Sequence, residues 1–361
     1  MRYITIFLLI TILSCSKKTK QTENKIQKIN NSTLDFEKVK ILEKLYVNAR
    51  NGLNYRKKPN GIILGKLPYG EKVEIIEYTG IKDEIADENR IIKGEWLGIK
   101  NYNDEKTNKV YVFSSFLDIG SNIKLIKKNL SIVQGIYSPK SEVFFYESGK
   151  EMFVDSLLKF EIISKDIFNQ LKKKNIDYIN RDSTNVHRNK DTLFIKHHKF
   201  IDNNIDNESR INFKYIGSID FLNKYVILRN LWENEDFILV DKSTGKIDSE
   251  NEKLLQLARK NGMNLLGFPR ISINKKNMIS LKNSSFTQQA ELNIFKIIKN
   301  SELQLELSLL FKTWSPSENE IFWISDNEFI VKAFPIDVIS EYEYGEQIDS
   351  ENYLKIKIFN L

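Results

Sequence analysis

Apolar positions along the chain change period several times, and each change marks an element. Ile4 to Leu13 is apolar apart from two threonines, a run far short of the ~20 residues a membrane-spanning helix needs. From Ser16 to about Ser32 almost nothing can be buried, so this stretch reads as a flexible tether. Leu34, Lys38, Ile41, Leu42 and Leu45 then follow helical spacing, which predicts a short amphipathic helix over Leu34 to Leu45. Between Leu45 and Leu117 the period shortens to strand-like alternation broken by turns. Strands dominate again from Ile123 to the end. Two helices interrupt them. One is expected over Lys165 to Lys174 behind Ser164. The other begins at the capping box Ser249 to Glu252 and exits at Gly262. The class is mainly β with a few helices: a small barrel at residues 45–120, then a larger antiparallel β-rich domain at 121–361.

Four blocks inside the first β region occur in a telling order. Gly52-Leu53-Asn54-Tyr55-Arg56 is followed by Gly65-Lys66-Leu67-Pro68-Tyr69-Gly70-Glu71-Lys72-Val73, then Gly94-Glu95-Trp96-Leu97-Gly98-Ile99, then Val110 to Leu117. The series resembles the bacterial Src-homology-3 family, which implies a five-stranded barrel and a module that binds wall peptides or protein segments. Leu53, Tyr55, Leu67, Val73, Ile75, Leu97 and Ile99 fall at strand periodicity as its core, and Gly70 stands where a turn needs positive φ. If Leu97, Ile99, Val110 and Val112 point inward, alternation sends Trp96, Tyr111 and Phe113 outward. Those three rings are the candidate ligand-binding face; the alternative is that the neighbouring domain covers them. Thr79 to Lys93 is long for a hairpin connection and carries Asp83, Glu84, Asp87 and Glu88. It reads as a specificity element or, more simply, as a solvated insertion in a surface loop.

The second β region repeats a polar turn followed by an alternating strand, at Asn189–Ile195, Asn223–Leu228, Lys276–Leu281 and Asp326–Val331. The last three starts lie about 50 residues apart, a spacing found in blade-like repeats. Phe237 to Lys246 and Phe268 to Asn277 weakly resemble β-propeller strand-and-turn segments. The pattern suits a partial or degenerate propeller, and equally a twisted antiparallel sheet with helices.

Cys15 is the one cysteine of the chain, so no intramolecular disulfide is available and the fold rests on burial. It follows Ile12-Leu13-Ser14 at the end of the apolar leader, an arrangement that resembles the lipobox of bacterial lipoproteins. The resemblance implies cleavage before Cys15, a lipid on its thiol and membrane anchorage in the cell envelope. Ser16 gives no inner-membrane retention signal and Lys17-Lys18 is not acidic, which points to an outer membrane and its periplasmic side. Net charge is +7, but Lys and Arg are dispersed among nearly as many acids. That suits anionic wall and lipid surfaces and argues against nucleic acid, which calls for a basic stripe with interleaved aromatics.

Catalytic chemistry is harder to find. His187, His197 and His198 lie close in sequence near Asp191, but adjacent strand positions face opposite ways, so they read as surface histidines of a hairpin. No metal or cofactor is implied, and Cys15, as the anchor, leaves no thiol for a Cys–His pair. The expectation is a non-enzymatic lipoprotein whose barrel binds a wall peptide or an envelope protein. A purely structural lipoprotein is the alternative, and an envelope hydrolase with its site in the C-terminal domain is a third.

Overall fold

A computed structural model describes residues 40–87, 90–101, 109–138, 143–145, 152–232, 234–248, 266–283, 290–298, 302–335 and 352–359. Cys15, the tether and the helix expected at Ser249 to Gly262 lie outside them. Among the described residues the protein is mainly β, with twenty-four strands and one α-helix. No helix among them is long and apolar enough to cross a membrane.

The first strands are β1 (Glu43–Val47), β2 (Leu53–Arg56), β3 (Ile63–Leu67), β4 (Lys72–Asp87), β5 (Arg90–Lys100), β6 (Lys109–Phe113) and β7 (Leu117–Asp118). They form one curled antiparallel half-barrel in the order β3-β2-β6-β5-β4-β1-β7. Seven strands therefore stand where five were expected. The concave side buries Leu53, Leu67, Val73, Ile75, Leu97, Ile99, Val110 and Val112 with Val47, and Tyr55 packs against them. This is the inward set that alternation predicts, and Gly70 turns at φ +85°. Two expectations need correction. Glu43 to Leu45 are strand, not the end of a helix, because Leu45 pairs with Val73 and Leu42 N–H donates to Ile75 O at 2.8 Å. A continuous ladder of this kind outweighs a short helical periodicity. The stretch read as a loop from Thr79 to Lys93 extends the β4–β5 hairpin, with Asp83 opposite Gly94 and Asp87 opposite Arg90.

The segment from Ile119 to Leu130 leaves the half-barrel in short 3-10 turns. Its backbone is gripped from both sides. The Tyr69 hydroxyl donates to Lys124 O at 2.7 Å and accepts from Lys124 N–H at 2.9 Å, while Asn352 Oδ1 accepts from Leu125 N–H at 2.8 Å. Ile123, fully buried, packs with Tyr46 and Tyr69. These contacts tie the half-barrel to the region that follows.

That region comprises β8 (Ile132–Ser138), β9 (Val143–Phe145), β10 (Met152–Phe153), β11 (Leu158–Ile163), α1 (Lys165–Lys172), β12 (Val186–Asn189), β13 (Thr192–Ile195), β14 (His198–Ile201), β15 (Ile211–Ile219), β16 (Lys224–Leu231), β17 (Glu235–Asp241), β18 (Arg270–Ile271), β19 (Asn277–Asn283), β20 (Ala290–Ile297), β21 (Leu303–Phe311), β22 (Trp314–Trp323), β23 (Glu328–Pro335) and β24 (Asn352–Ile358). They make four antiparallel sheets: sheet 1 (β12-β13-β14), sheet 2 (β15-β16-β17), sheet 3 (β10-β8-β21-β20-β19-β18, with β9 on β8) and sheet 4 (β11-β24-β23-β22). The sheets stack in that order. Tyr225, Ile227, Ile238 and Val240 on one face of sheet 2 meet Leu193, Ile195 and Phe200 of sheet 1. Val226 and Leu239 on its other face meet Met278, Phe295, Leu303 and Leu305 of sheet 3. The opposite face of sheet 3, with Ile279, Leu292 and Leu307, packs on Phe329, Val331, Leu354 and Ile356 of sheet 4. Helix α1 covers the last face, where Phe168 sits 4.7 Å from Tyr353. Its start follows from Ser164, whose Oγ accepts from Ile167 N–H at 3.3 Å.

Burial on both faces explains the near-continuous apolar runs at Tyr225–Leu228 and Phe237–Val240, where strict alternation fails. Residues with positive φ stand just before strands in three of the sheets: Lys190 and Lys196 in sheet 1, Asn223 in sheet 2 and Lys275 in sheet 3. The units are nonetheless unequal in strand number, and sheet 4 is completed by β11 from much earlier in the chain. Among the described residues, no buried apolar cluster joins sheet 1 to sheet 4.

Candidate functional site

Trp96, Tyr111 and Phe113 do share the convex face of the half-barrel: Trp96 pairs with Phe113 and Gly98 with Tyr111. They do not form an exposed binding face. Trp96 and Phe113 are each 1% exposed, and only Tyr111 keeps partial exposure, beneath the Lys109 ammonium. The contacts that cover them among the described residues come from the half-barrel itself and the turn that follows β6. A shift in register between Tyr78 and Lys82 curls the extended hairpin back, and Trp96 Nε1–H donates to Asp83 Oδ2 at 3.2 Å. Arg56 lies over the indole at 5.8 Å, and Phe113 meets it edge-on at 5.4 Å. The Glu84 N–H, the indole N–H and Asn60, which donates to the same carboxylate, together hold the Asp83 pKa below the usual range. The acidic hairpin is thus a lid on a small second core.

The histidines are hairpin residues, as expected. His187 lies on β12 and stacks flat on Phe194 at 4.8 Å. His197 occupies the β13–β14 turn, so its ring stands 4.0 Å from that of His198 and not on the opposite face, as strand alternation would have it. His198 Nε2 is already bonded to Lys242 O at 2.9 Å. Among the described residues no group of three His, Cys, Asp or Glu is arranged to hold a metal ion.

A cleft of about 460 Å³ opens where sheets 2, 3 and 4 come together. Its walls are the segment 175–181 after α1, Glu235 and Phe237 of β17, Phe268 to Ile271 at β18, and Glu318 to Phe322 of β22. The segment 175–181 is held firmly. Asn180 and Ser218 exchange backbone bonds at 2.8 Å each way, Ile179 is buried between sheets 2 and 3, and the Tyr178 hydroxyl donates to Ile273 O.

Arg270 lines this cleft. Its backbone is fixed by Trp323, buried in the core between sheets 3 and 4, whose Nε1–H donates to Arg270 O at 2.9 Å. The guanidinium is half-buried. It lies 5.2 Å from the Phe268 ring and 5.7 Å from the Phe322 ring, and donates one N–H to Glu318 O at 2.7 Å. No carboxylate among the described residues reaches ion-pair distance of it. Burial pulls its pKa down, against the raising influence of Asp177, Glu320 and Glu318 nearby. Three neighbouring acids have cations of their own. Asp177 binds Arg181 at 2.6 Å, Glu320 binds Lys172 at 3.2 Å, and Glu235 lies 3.9 Å from Lys282. The cleft therefore offers aromatic walls around a guanidinium that has no carboxylate partner among the described residues.

Sequence reasoning passed over Arg270. It noted the segment Phe268 to Asn277 for its turn, and that turn forms, with Ser272 Oγ accepting from Lys276 and Asn277 N–H. The only local signal was a charge between Phe268-Pro269 and Ile271 in a strand entering the core. Fold and cleft together define a mainly β protein with a half-barrel and stacked antiparallel sheets. Comparison with known proteins returned nothing: no family model, no curated protein and no solved structure matches the chain.

Proposed function

We propose that this chain is a lipid-anchored, non-enzymatic binding protein of the bacterial cell envelope. In this reading Cys15 carries the lipid, the polar tether spaces the folded part from the membrane, and the half-barrel is a divergent member of the Src-homology-3-like modules. Its ligand is a peptide fragment of the wall or an envelope protein, and the outer membrane facing the periplasm is the assigned location. The observation that carries the reading is the aromatic-walled cleft around Arg270, whose guanidinium gives one hydrogen bond to a carbonyl and meets no carboxylate at ion-pair distance among the described residues, which leaves donors for a ligand. The aromatic trio of the half-barrel carries less, because Trp96 and Phe113 are consumed in packing. That observation favours a second role for the half-barrel as a brace, joined to the stacked sheets through Tyr69, Lys124 and Asn352.

The test is retention of soluble wall digests by the whole chain made soluble as Cys15→Ser, read by mass spectrometry of the eluate. Reproducible recovery of peptide-containing fragments is expected. Recovery of none would contradict the wall-ligand reading.

A further inference from the structure

Building on the reading of the chain as a binding protein, we propose that the cleft takes the free C-terminal carboxylate of a short peptide, held in the plane of the Arg270 guanidinium between Phe268 and Phe322. Three observations carry this. The first is charge. Asp177, Glu320 and Glu235 are already paired with Arg181, Lys172 and Lys282, and Glu318 also lines the cleft and acts on Arg270 from a distance, whereas the guanidinium gives one N–H to a carbonyl and meets no carboxylate at ion-pair distance among the described residues. A guanidinium has five donors in a planar fork that matches a carboxylate in two-point contact.

The second is size. About 460 Å³ lies in the range of pockets that enclose small ligands, and suits a di- or tripeptide. The third is the identity of the walls. Strands β18 and β22 are each the terminal strand of their sheet among the described residues, each with one edge that has no strand neighbour, and residues of both line the cleft. An extended peptide can pair its backbone along such an edge, which a lone carboxylic acid or phosphate cannot do. Phe237, Phe268 and Phe322 then receive an apolar side chain next to the terminal carboxylate.

The experiment is calorimetric titration of the soluble Cys15→Ser chain with alanylalanine, its C-terminal amide, acetate and inorganic phosphate. The dipeptide acid is expected to bind roughly tenfold or more tightly than the amide, acetate to bind weakly, and phosphate not to compete. Arg270→Gln should abolish the preference for acid over amide, and Arg270→Lys should restore part of it. If Arg270→Gln does not fold, the acid-against-amide comparison on the unaltered cleft decides alone. Equal binding of acid and amide, tighter binding of phosphate, or no binding at millimolar dipeptide would overturn the proposal. Should wall fragments be retained while acid and amide bind alike, the binding reading stands and the carboxylate assignment falls. Should the dipeptide acid bind through Arg270 while wall fragments are not retained, the assignment stands and the wall reading falls.

Discussion

Gly245 turns at φ +72° between Asp241 and Lys246, and a Cβ at that position would run into the imidazole of His198. The ring cannot easily retreat, because its Nε2 is bonded to Lys242 O on the same turn. Gly245→Ala is therefore expected to lower stability by about 1–3 kcal/mol in urea unfolding, and pairing it with His198→Ala should recover the steric part of that loss. Trp96 supplies a second residue-scale expectation. As a fully buried indole under the curled hairpin, Trp96→Ala should cost about 3–5 kcal/mol in thermal unfolding. A folded, equally stable Trp96→Ala protein would return this ring to the binding face that alternation suggested. Alternation was right about the side of the sheet on which Trp96 lies. What it lacked was the return of Asp83 and Arg56 over the ring, a tertiary event set by a shift in register.

At the scale of elements, the joint between β15–β16 and the β17 turn rests on Asp220. Its carboxylate accepts from Lys242 Nζ at 2.5 Å, Ser218 Oγ at 2.7 Å and Asn180 Nδ2 at 3.0 Å, which together hold its pKa far below the ordinary carboxylate value. A depressed carboxylate contributes stability above its unfolded pKa of about 3.9, and that contribution is lost as pH falls toward the folded value. Asp220→Asn should then destabilise the protein at pH 7, with the gap to the parent closing below about pH 4, as measured by urea midpoints across pH. Sheet 3 has a different weakness. Among the described residues, neither amide atom of fully buried Asn293 has a hydrogen-bond partner, although Ser280 and Ser308 stand opposite it. Asn293→Leu should raise the melting temperature, with about 1–3 kcal/mol of desolvation relieved.

Element type was largely legible in the sequence. Ser164 marked the start of α1, and the four polar turns marked β13, β16, β19 and β23, because caps and turns are local chemistry. The length of β4 and the strand at Glu43 were not legible, since ladder pairing depends on partners distant in the chain. The cleft was illegible for the same reason. Arg270, Asp177 and Phe322 are brought together only by the stacking of sheets, and nothing in their local sequence announces it.

For the whole molecule, the lipid claim and the stack are separable. Cys15→Ser should release an otherwise folded protein into the soluble fraction, checked by fractionation and circular dichroism; retention in the membrane would remove the anchor assignment. The stack itself gives the cleft its rigidity. Trp323 ties sheet 4 to β18, and Asp326 between β22 and β23 accepts from Asn274 in the turn before β19 at 2.8 and 3.1 Å. The central claim is that ligand binding belongs to this junction of sheets and not to the half-barrel. Hydrogen–deuterium exchange of the soluble chain, with and without a peptide-rich wall digest, tests it most directly. Protection is expected at residues 175–181, 268–271 and 318–322, with the β5 and β6 amides around Trp96 and Tyr111 unchanged. Protection confined to β5 and β6 would contradict the account.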